Sequence, residues 1–181
     1  MMSPADRSVA ELNAMPREAL AAHLRACCGS ARWVERMIAR RPWTSLDDLL
    51  ASSDEVGRAL VDDDWFEAFS HHPRLGESQA AAPQDARARG WSAGEQAALS
   101  GAAAELRRAL AAANTAYERQ FGYICIVCAT GKDPEELLAI TRARLGNTPQ
   151  IELRIAAEEQ RKITRLRLRK LCQDVQGVTS E

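Results

Sequence analysis

Residues 149–174 read PQIELRIAAEEQRKITRLRLRKLCQD, and this stretch decides the fold class because its apolar residues recur at helical spacing. Pro149 suits the first turn of a helix, where a backbone N–H has no partner to lose. The pattern predicts a helix that continues to about Asp174, with apolar positions at Ile151, Ile155, Ile163, Leu166 and Leu171. A helix with one apolar stripe must pack that stripe against other elements.

The segments upstream of this helix show the same helical period. Asp133-Pro134 is a helix start, with Asp as the cap and Pro in the first turn. The run from Tyr123 to Ala129 is either an extended segment or a buried helical turn, because periodicity does not separate the two. The predicted helices are 17–40 with a break at Gly29-Ser30, 46–61 after the cap Ser45, a short one through 65–69, 92–122, 134–146 and 149–174.

Length and composition agree with a single globular domain. The chain has 181 residues, of which 46% are hydrophobic and 27% charged. Abundant Ala and few aromatic residues favour helices over sheet. We therefore predict an all-α, single-domain helical bundle of about seven to nine helices over residues 17–174. An N-terminal arm at 1–16, either loosely held or folded as a short turn, and a C-terminal tail at 175–181 complete the predicted division.

Charge and cysteine content narrow the class of protein. The 24 Lys and Arg nearly balance the 25 Asp and Glu, and no apolar run is long enough for a membrane span. We expect no membrane and no nucleic-acid partner. Five cysteines, no apolar leader and no Ser-Lys-Leu ending favour reduced thiols in the cytoplasm. Cys125 and Cys128 have the spacing of a redox or zinc pair, but buried small hydrophobic residues are the favoured interpretation.

Two adjacent histidines stand at the start of a short loop that Pro73 and Gly76 should shape. An imidazole in such a loop is a candidate acid–base group, because its pKa is close to neutral. The structural alternative is a histidine satisfied by a backbone carbonyl at a helix end. No matching cluster of carboxylates accompanies His71 and His72, so we expect no catalytic metal.

Ser92 and Glu95 stand three residues apart, immediately before a long helical pattern. This spacing is typical of a capping box, in which each side chain bonds the backbone N–H of the other residue. Capping and binding are compatible, because a helix N-terminus collects free N–H groups that favour an anionic or carbonyl-bearing ligand.

The last helix carries six basic residues between Arg161 and Lys170. At 100° per residue, Arg161, Arg165 and Arg169 share one stripe, whereas Arg167 lies on the apolar side. A buried arginine is costly unless it meets a carboxylate or an anionic ligand. Arg167 is therefore a candidate anion receptor, with a structural salt bridge as the alternative. Nucleic-acid phosphates are a less favoured ligand, because Glu152, Glu158 and Glu159 lie nearby.

Five motifs occur in one order along the chain. Together they resemble the family of 2-oxo-4-hydroxy-4-carboxy-5-ureidoimidazoline (OHCU) decarboxylases, over roughly Leu12 to Leu171. The motifs are HHPRLGE at 71–77, SAGEQ at 92–96, NTAYERQFGY at 114–123, RLGN at 144–147 and KITRLRL at 162–168.

The resemblance implies a step of purine degradation, in which the hydrated product of urate oxidation loses CO2 to give (S)-allantoin. It also implies an all-α bundle that uses no metal and no organic cofactor. Members of the family act on a small ureidoimidazoline, typically as homodimers.

The resemblance also assigns site residues. It makes His72, the residue before Pro73, the catalytic histidine, and leaves His71 as a neighbour. Glu95 matches the catalytic glutamate, and Arg167 is favoured over Arg165 as the family's arginine. The expected substrate-binding residues are Pro73, Ser92, Ala93, Gly94, Gln96, Tyr123, Ile124, Cys125, Ile126, Val127 and Arg167. Ile124 and Cys125 depart from the commoner Phe-Gly-Phe-x-Phe pattern, so no side-chain role is assigned to that segment.

Two rival functions are compatible with part of the sequence. A helical adaptor with a basic last helix explains each feature singly but not their joint order. Hydrolysis of hydroxyisourate uses a related compound, but that chemistry belongs to a β-rich fold that this sequence does not suggest.

Overall fold

The computed structural model describes residues 3–74 and 104–178, with side chains to residue 175. The described residues form helices and connecting loops without strands, which confirms the all-α class and agrees with the predicted number of helices. In the order of the chain these helices are α1 (Pro4–Ala14), α2 (Arg17–Cys27), α3 (Ala31–Ala39), α4 (Leu46–Arg58), α5 (Asp62–Ser70), α6 (Ala104–Phe121), α7 (Pro134–Arg144) and α8 (Pro149–Val178).

Local capping explains where several of the helices begin. The Ser45 side chain accepts the N–H of Asp48, and the Ser30 side chain accepts that of Trp33. Asp133 and Glu136 form a reciprocal capping box ahead of α7, with Pro134 in its first turn. The predicted helix starts at Ser45 and Asp133 are thereby confirmed.

Contacts between residues divide the chain into two compact units. Unit 1 comprises residues 1–67 and 161–181, and unit 2 comprises residues 68–160. The boundaries fall within α5 and α8. The predicted limits of the domain, arm and tail stay predictions.

In unit 1, α3 contacts α2 and α4, and α4 also contacts α1. The core consists of fully buried side chains, among them Leu20, Leu24, Trp33, Met37 and Leu49. The expectation of a loosely held arm is wrong for residues 4–14. That segment is a helix capped by Ser3, and it buries Val9 and Leu12. Asn13 bonds both the N–H and the carbonyl of Trp43, at 3.0 and 2.8 Å.

In unit 2, α6 packs against α7. Their apolar faces enclose part of the segment at 123–129, which has no helix. This core comprises Leu110, Ala113, Tyr117, Cys125, Val127, Ala129, Leu137 and Leu138.

The start of α8 differs from the apolar pattern of its sequence. Ile151, which the pattern places on the apolar face, is 50% exposed, whereas Glu152 is fully buried. Glu152 is tolerated there because it has charged and polar partners, described below. The helix also continues to Val178, beyond the predicted end near Asp174. Within the described ranges, none of the helices combines the length and apolar character that a membrane span requires.

Candidate active site

The candidate catalytic histidine lies where α5 ends in unit 2. The N–H of His71 donates to the carbonyl of Ala68 at 3.3 Å, and that of His72 donates to the carbonyl of Phe69 at 3.1 Å. These bonds tighten the last turn of the helix and carry the chain into Pro73. Both imidazoles are half-buried and have partners of their own. The His-Pro turn is therefore a fixed extension of α5 as far as the structure describes it.

The second component of the candidate site is the segment at 123–129. It is named the binding segment because the resemblance assigns substrate binding to its residues from Tyr123 to Val127. Tyr123 and Ile124 are half-buried, and residues 125–129 are buried. The segment follows Gly122, whose φ of +81° is a backbone conformation that side chains with a Cβ rarely adopt. This glycine lets α6 end and the chain turn into the core.

Aromatic contacts connect the His-Pro turn to this segment. The ring of Phe69, which is fully buried, lies 5.1 Å from the ring of Tyr123, measured between centroids. Tyr123 also packs edge-on against Tyr117, at 5.9 Å. Such contacts add to the burial of the rings themselves. Unit 2 thus brings the turn that carries His72 next to the start of the binding segment.

Charged side chains fix the backbone of the binding segment. Arg144 donates from Nη1 to the carbonyl of Ile126 at 2.7 Å, and the N–H of Cys128 donates to Glu159 at 2.7 Å. Lys132 donates to the carbonyl of Cys128 at 2.8 Å. Hydrogen bonds to ionised groups are stronger than those between neutral groups. The segment is therefore a preformed backbone surface.

Arg144 belongs to a buried polar network. It donates from Nε to Glu152 at 2.7 Å and from Nη2 to the hydroxyl of Tyr117 at 3.3 Å. The hydroxyl of Tyr117 also bonds Glu152, which accepts from Asn147 at 2.7 Å. Burial, with the hydrogen bond to Glu152 adding to it, raises the pKa of Tyr117 far above its ordinary value. The tyrosine is therefore a neutral donor at physiological pH.

The thiols of the segment are structural. All five cysteines of the chain are buried thiols outside any disulfide, as the hydrophobic interpretation predicted. Burial raises the pKa of Cys125 to about 11, so the thiolate needed for redox or metal chemistry is disfavoured. Burial likewise raises the pKa of the Tyr123 hydroxyl to about 12.

Arg167 lies in unit 1, where it is only 3% exposed. Its Nη1 donates to the carbonyl of Ala26 at 3.3 Å. The inward position predicted from the helical wheel is confirmed. Burial raises the pKa of the Cys28 thiol to about 11, and the positive charge of Arg167 opposes this effect by lowering it. The role of Arg167 as an anion receptor stays a prediction.

Arg165, the alternative match to the family's arginine, already forms an ion pair. Its guanidinium bonds Asp54 of α4, which also lies 3.5 Å from Arg161. Arg165 is 34% exposed at its side chain, in contrast to Arg167. Arg165 therefore has an ionic partner within unit 1, and the preference for Arg167 over Arg165 stays a prediction.

The remaining predicted site residues lie outside the described residues. They are Ser92, Ala93, Gly94, Glu95 and Gln96. The capping box and the substrate contacts predicted for this segment stay predictions.

Two features of the candidate site were not predicted from the sequence. No role was predicted for Arg144 or Glu152, although Arg144 is the first residue of the RLGN motif. Arg74, in the His-Pro motif, forms an ion pair with Glu118, in the motif at 114–123. The opposite charges of Arg74 and Glu118 were the available signal. Nothing in the sequence, however, indicated that the two side chains lie close together in the fold.

The chain is similar in sequence to one protein family and to known members of it. A family model described as OHCU decarboxylase matches residues 13–169. The uric acid degradation bifunctional protein TTL of Arabidopsis thaliana is 36% identical over 155 residues, covering 86% of this chain and 48% of that protein. A 2-oxo-4-hydroxy-4-carboxy-5-ureidoimidazoline decarboxylase of Amia calva is 40% identical over 60 residues, covering 33% of this chain and 34% of the relative. The chain therefore spans about half of the first relative and a third of the second.

Solved structures give the same similarity in three dimensions. A crystal structure of OHCU decarboxylase in the presence of (S)-allantoin has a TM-score of 0.72 and 30% identity, covering 84% of this chain and 98% of that one. A crystal structure of (S)-allantoin synthase shares the fold, with a TM-score of 0.65 and 20% identity, covering 90% of this chain and 53% of that one.

Proposed function

This chain belongs to the OHCU decarboxylase family, and we propose that it converts 2-oxo-4-hydroxy-4-carboxy-5-ureidoimidazoline to (S)-allantoin and CO2. The observation that carries the proposal is the family match over residues 13–169, which include every candidate site residue from His72 to Arg167. The fixed backbone at 123–129, beside the turn that carries His72, supports it.

The chemistry suits a protein that supplies placement and protons. The departing carboxylate is attached to the ring carbon next to a C=N bond, so the electron pair left by CO2 flows into the ring and the nitrogen takes a proton. The hydroxyl then loses its proton to become a carbonyl, and the ureido-bearing carbon gains one. Because the ring itself accepts the electrons, a separate electron sink is not required.

We assign His72 as the acid–base group, since an imidazole can both take and deliver a proton near neutral pH. Delivery to one face of the ring fixes the S configuration. Arg167 holds the anionic substrate, and Glu95 orients the ring or its hydroxyl by hydrogen bonding. The backbone from Tyr123 to Val127 lines the ring, with Pro73, Ser92, Ala93, Gly94 and Gln96 completing the binding residues.

Circular dichroism at an allantoin-sensitive wavelength tests the activity. The substrate is generated from urate by an oxidase and a hydroxyisourate hydrolase, and this protein is added or omitted. We expect rapid appearance of the (S)-allantoin signal only when the protein is present. Slow, racemic product with folded protein present would reject the decarboxylase function and make the adaptor interpretation the leading one.

We also propose that the enzyme is a homodimer, as the family resemblance implies, and that it acts in the cytoplasm, where cysteines stay reduced. Light scattering on a size-exclusion column tests the assembly, because a dimer has twice the 19.9 kDa mass of the chain. A single species at the monomer mass across micromolar concentrations would contradict it.

A further inference from the structure

An ion pair connects the His-Pro turn to α6 within unit 2. Arg74 donates from Nε to Glu118 Oε2 at 2.9 Å and from Nη2 to Oε1 at 2.8 Å. One edge of the guanidinium therefore meets both carboxylate oxygens, the two-point geometry that fixes orientation as well as distance. Arg74 is two residues after His72. The residue between them is Pro73, and its fixed φ restricts the backbone that connects the two.

Glu118 is mounted on a rigid support. It follows Tyr117, which is fully buried and packs against Phe121 at 4.6 Å between ring centroids. The N-terminal side of the turn is equally well held, since His72 bonds the carbonyl of the buried Phe69. His72 thus has one anchor on each side, Phe69 before it and Arg74 after it.

The pair is too exposed to serve mainly for folding stability. The side chains of Arg74 and Glu118 are 41% and 35% exposed. Ion pairs at such positions contribute little to stability, because water competes for both charges. The Arg74–Glu118 pair adds little stability, but it fixes the chain beside a candidate acid–base residue. A role in positioning is therefore its best explanation.

We propose that Arg74 and Glu118 are positioning residues that hold the imidazole of His72 in its reactive orientation. The inference rests on the proposed function, because it is the decarboxylation that needs a fixed proton donor. Neither residue has to touch the substrate. Loss of the pair leaves the fold intact and lets the turn after His72 move.

Kinetics of three variants test this role, namely Arg74→Gln, Glu118→Gln and the double variant. Each single substitution is expected to lower kcat about 10- to 100-fold, because a misplacement near 1 Å costs that much. KM should stay within about threefold of wild type, since substrate binding is untouched. The double variant should be no slower than the slower single variant, because the two residues act through one interaction.

Glu55→Gln is the matched control. Glu55 forms an exposed ion pair with Arg40 in unit 1, outside the residues assigned to the site. This variant should retain the kcat of wild type. Hydrogen exchange of the backbone amides of His71, His72 and Arg74 gives a readout that does not need activity, and it should be faster in Glu118→Gln than in Glu55→Gln.

The outcomes separate this proposal from the proposed function. An inactive wild-type protein rejects the decarboxylase function, and the exchange rates alone then show whether the pair holds the turn. Wild-type kcat in a folded Glu118→Gln variant rejects the positioning role while the enzyme assignment stands. Losses that multiply in the double variant, or a raised KM confined to Arg74→Gln, reject it equally, because Arg74 would then act independently of Glu118.

Discussion

Arg144 and Glu152 form an ion pair that is almost completely removed from water. The side chains are 7% and 0% exposed, and Arg144 Nη2 lies 2.5 Å from Glu152 Oε1. Arg144 uses another nitrogen to hold the Ile126 carbonyl of the binding segment. The pair therefore connects the start of α8 to the backbone of the segment at 123–129.

Breaking this pair on one side should destabilise the protein strongly. Glu152→Gln is nearly isosteric but leaves the guanidinium of Arg144 buried without its countercharge. Removal of one partner from a buried pair typically costs about 3–5 kcal/mol. We expect a loss of this order in the free energy of unfolding, measured by urea titration.

Glu55→Gln again provides the comparison, because it removes a carboxylate from an exposed Arg–Glu pair. Its expected cost is below about 1 kcal/mol. If the two variants lost equal free energy of unfolding, the burial of Glu152 would not determine how much its ion pair contributes to stability.

Local chemistry explains most of what could be predicted from the sequence. The cap at Ser45, the capping box at Asp133 and the inward face of Arg167 each depend on residues within a few positions of one another. Such relationships are fixed by helix geometry and can be read from spacing alone.

Long-range pairing explains what sequence analysis missed. The burial of Glu152 in place of Ile151 depends on Arg144 and Tyr117, the latter 35 residues away. Arg74 and Glu118 are separated by 44 residues. Helical periodicity treats a glutamate as solvent-facing, so only the tertiary fold reveals a carboxylate that is buried with its partners.

The assignment of the proposed catalytic histidine to His72 can be tested on two neighbouring residues. His72→Ala is expected to lower turnover about 10²- to 10⁴-fold, the usual contribution of positioned proton transfer. His71→Ala should retain most activity. The assay is the formation of (S)-allantoin by circular dichroism, with far-ultraviolet spectra to verify that both variants fold. A greater loss in His71→Ala would move the catalytic role to that residue.

The two arginines of the last helix should also behave differently. Arg167→Lys keeps the charge but removes the planar fork that suits a carboxylate, so we expect KM to rise about tenfold or more. Arg165→Lys should leave KM nearly unchanged, because Arg165 bonds Asp54 in unit 1. Steady-state kinetics of both variants decide the register. An effect confined to Arg165→Lys would reverse the assignment.

Buried thiols should make the stability of the protein fall at alkaline pH. Burial raises the pKa of Cys28 and Cys172 to about 11, as it does for Cys125. Below about pH 7.5 these thiols are protonated in both the folded and the unfolded states. Between about pH 9 and 11 the unfolded chain loses these protons while the folded chain retains them. Each thiol therefore steepens the fall in unfolding free energy by up to about 1.4 kcal/mol per pH unit.

Urea titrations at intervals from pH 8 to pH 10.5, with an excess of reducing agent, measure this slope. Cys28→Ala should give a shallower fall than wild type, because one of the raised thiols is gone. The comparison uses the slope and not the absolute stability, since the substitution also changes packing. Identical slopes in the two proteins would mean that the Cys28 thiol titrates alike in the folded and unfolded chains, contrary to its burial.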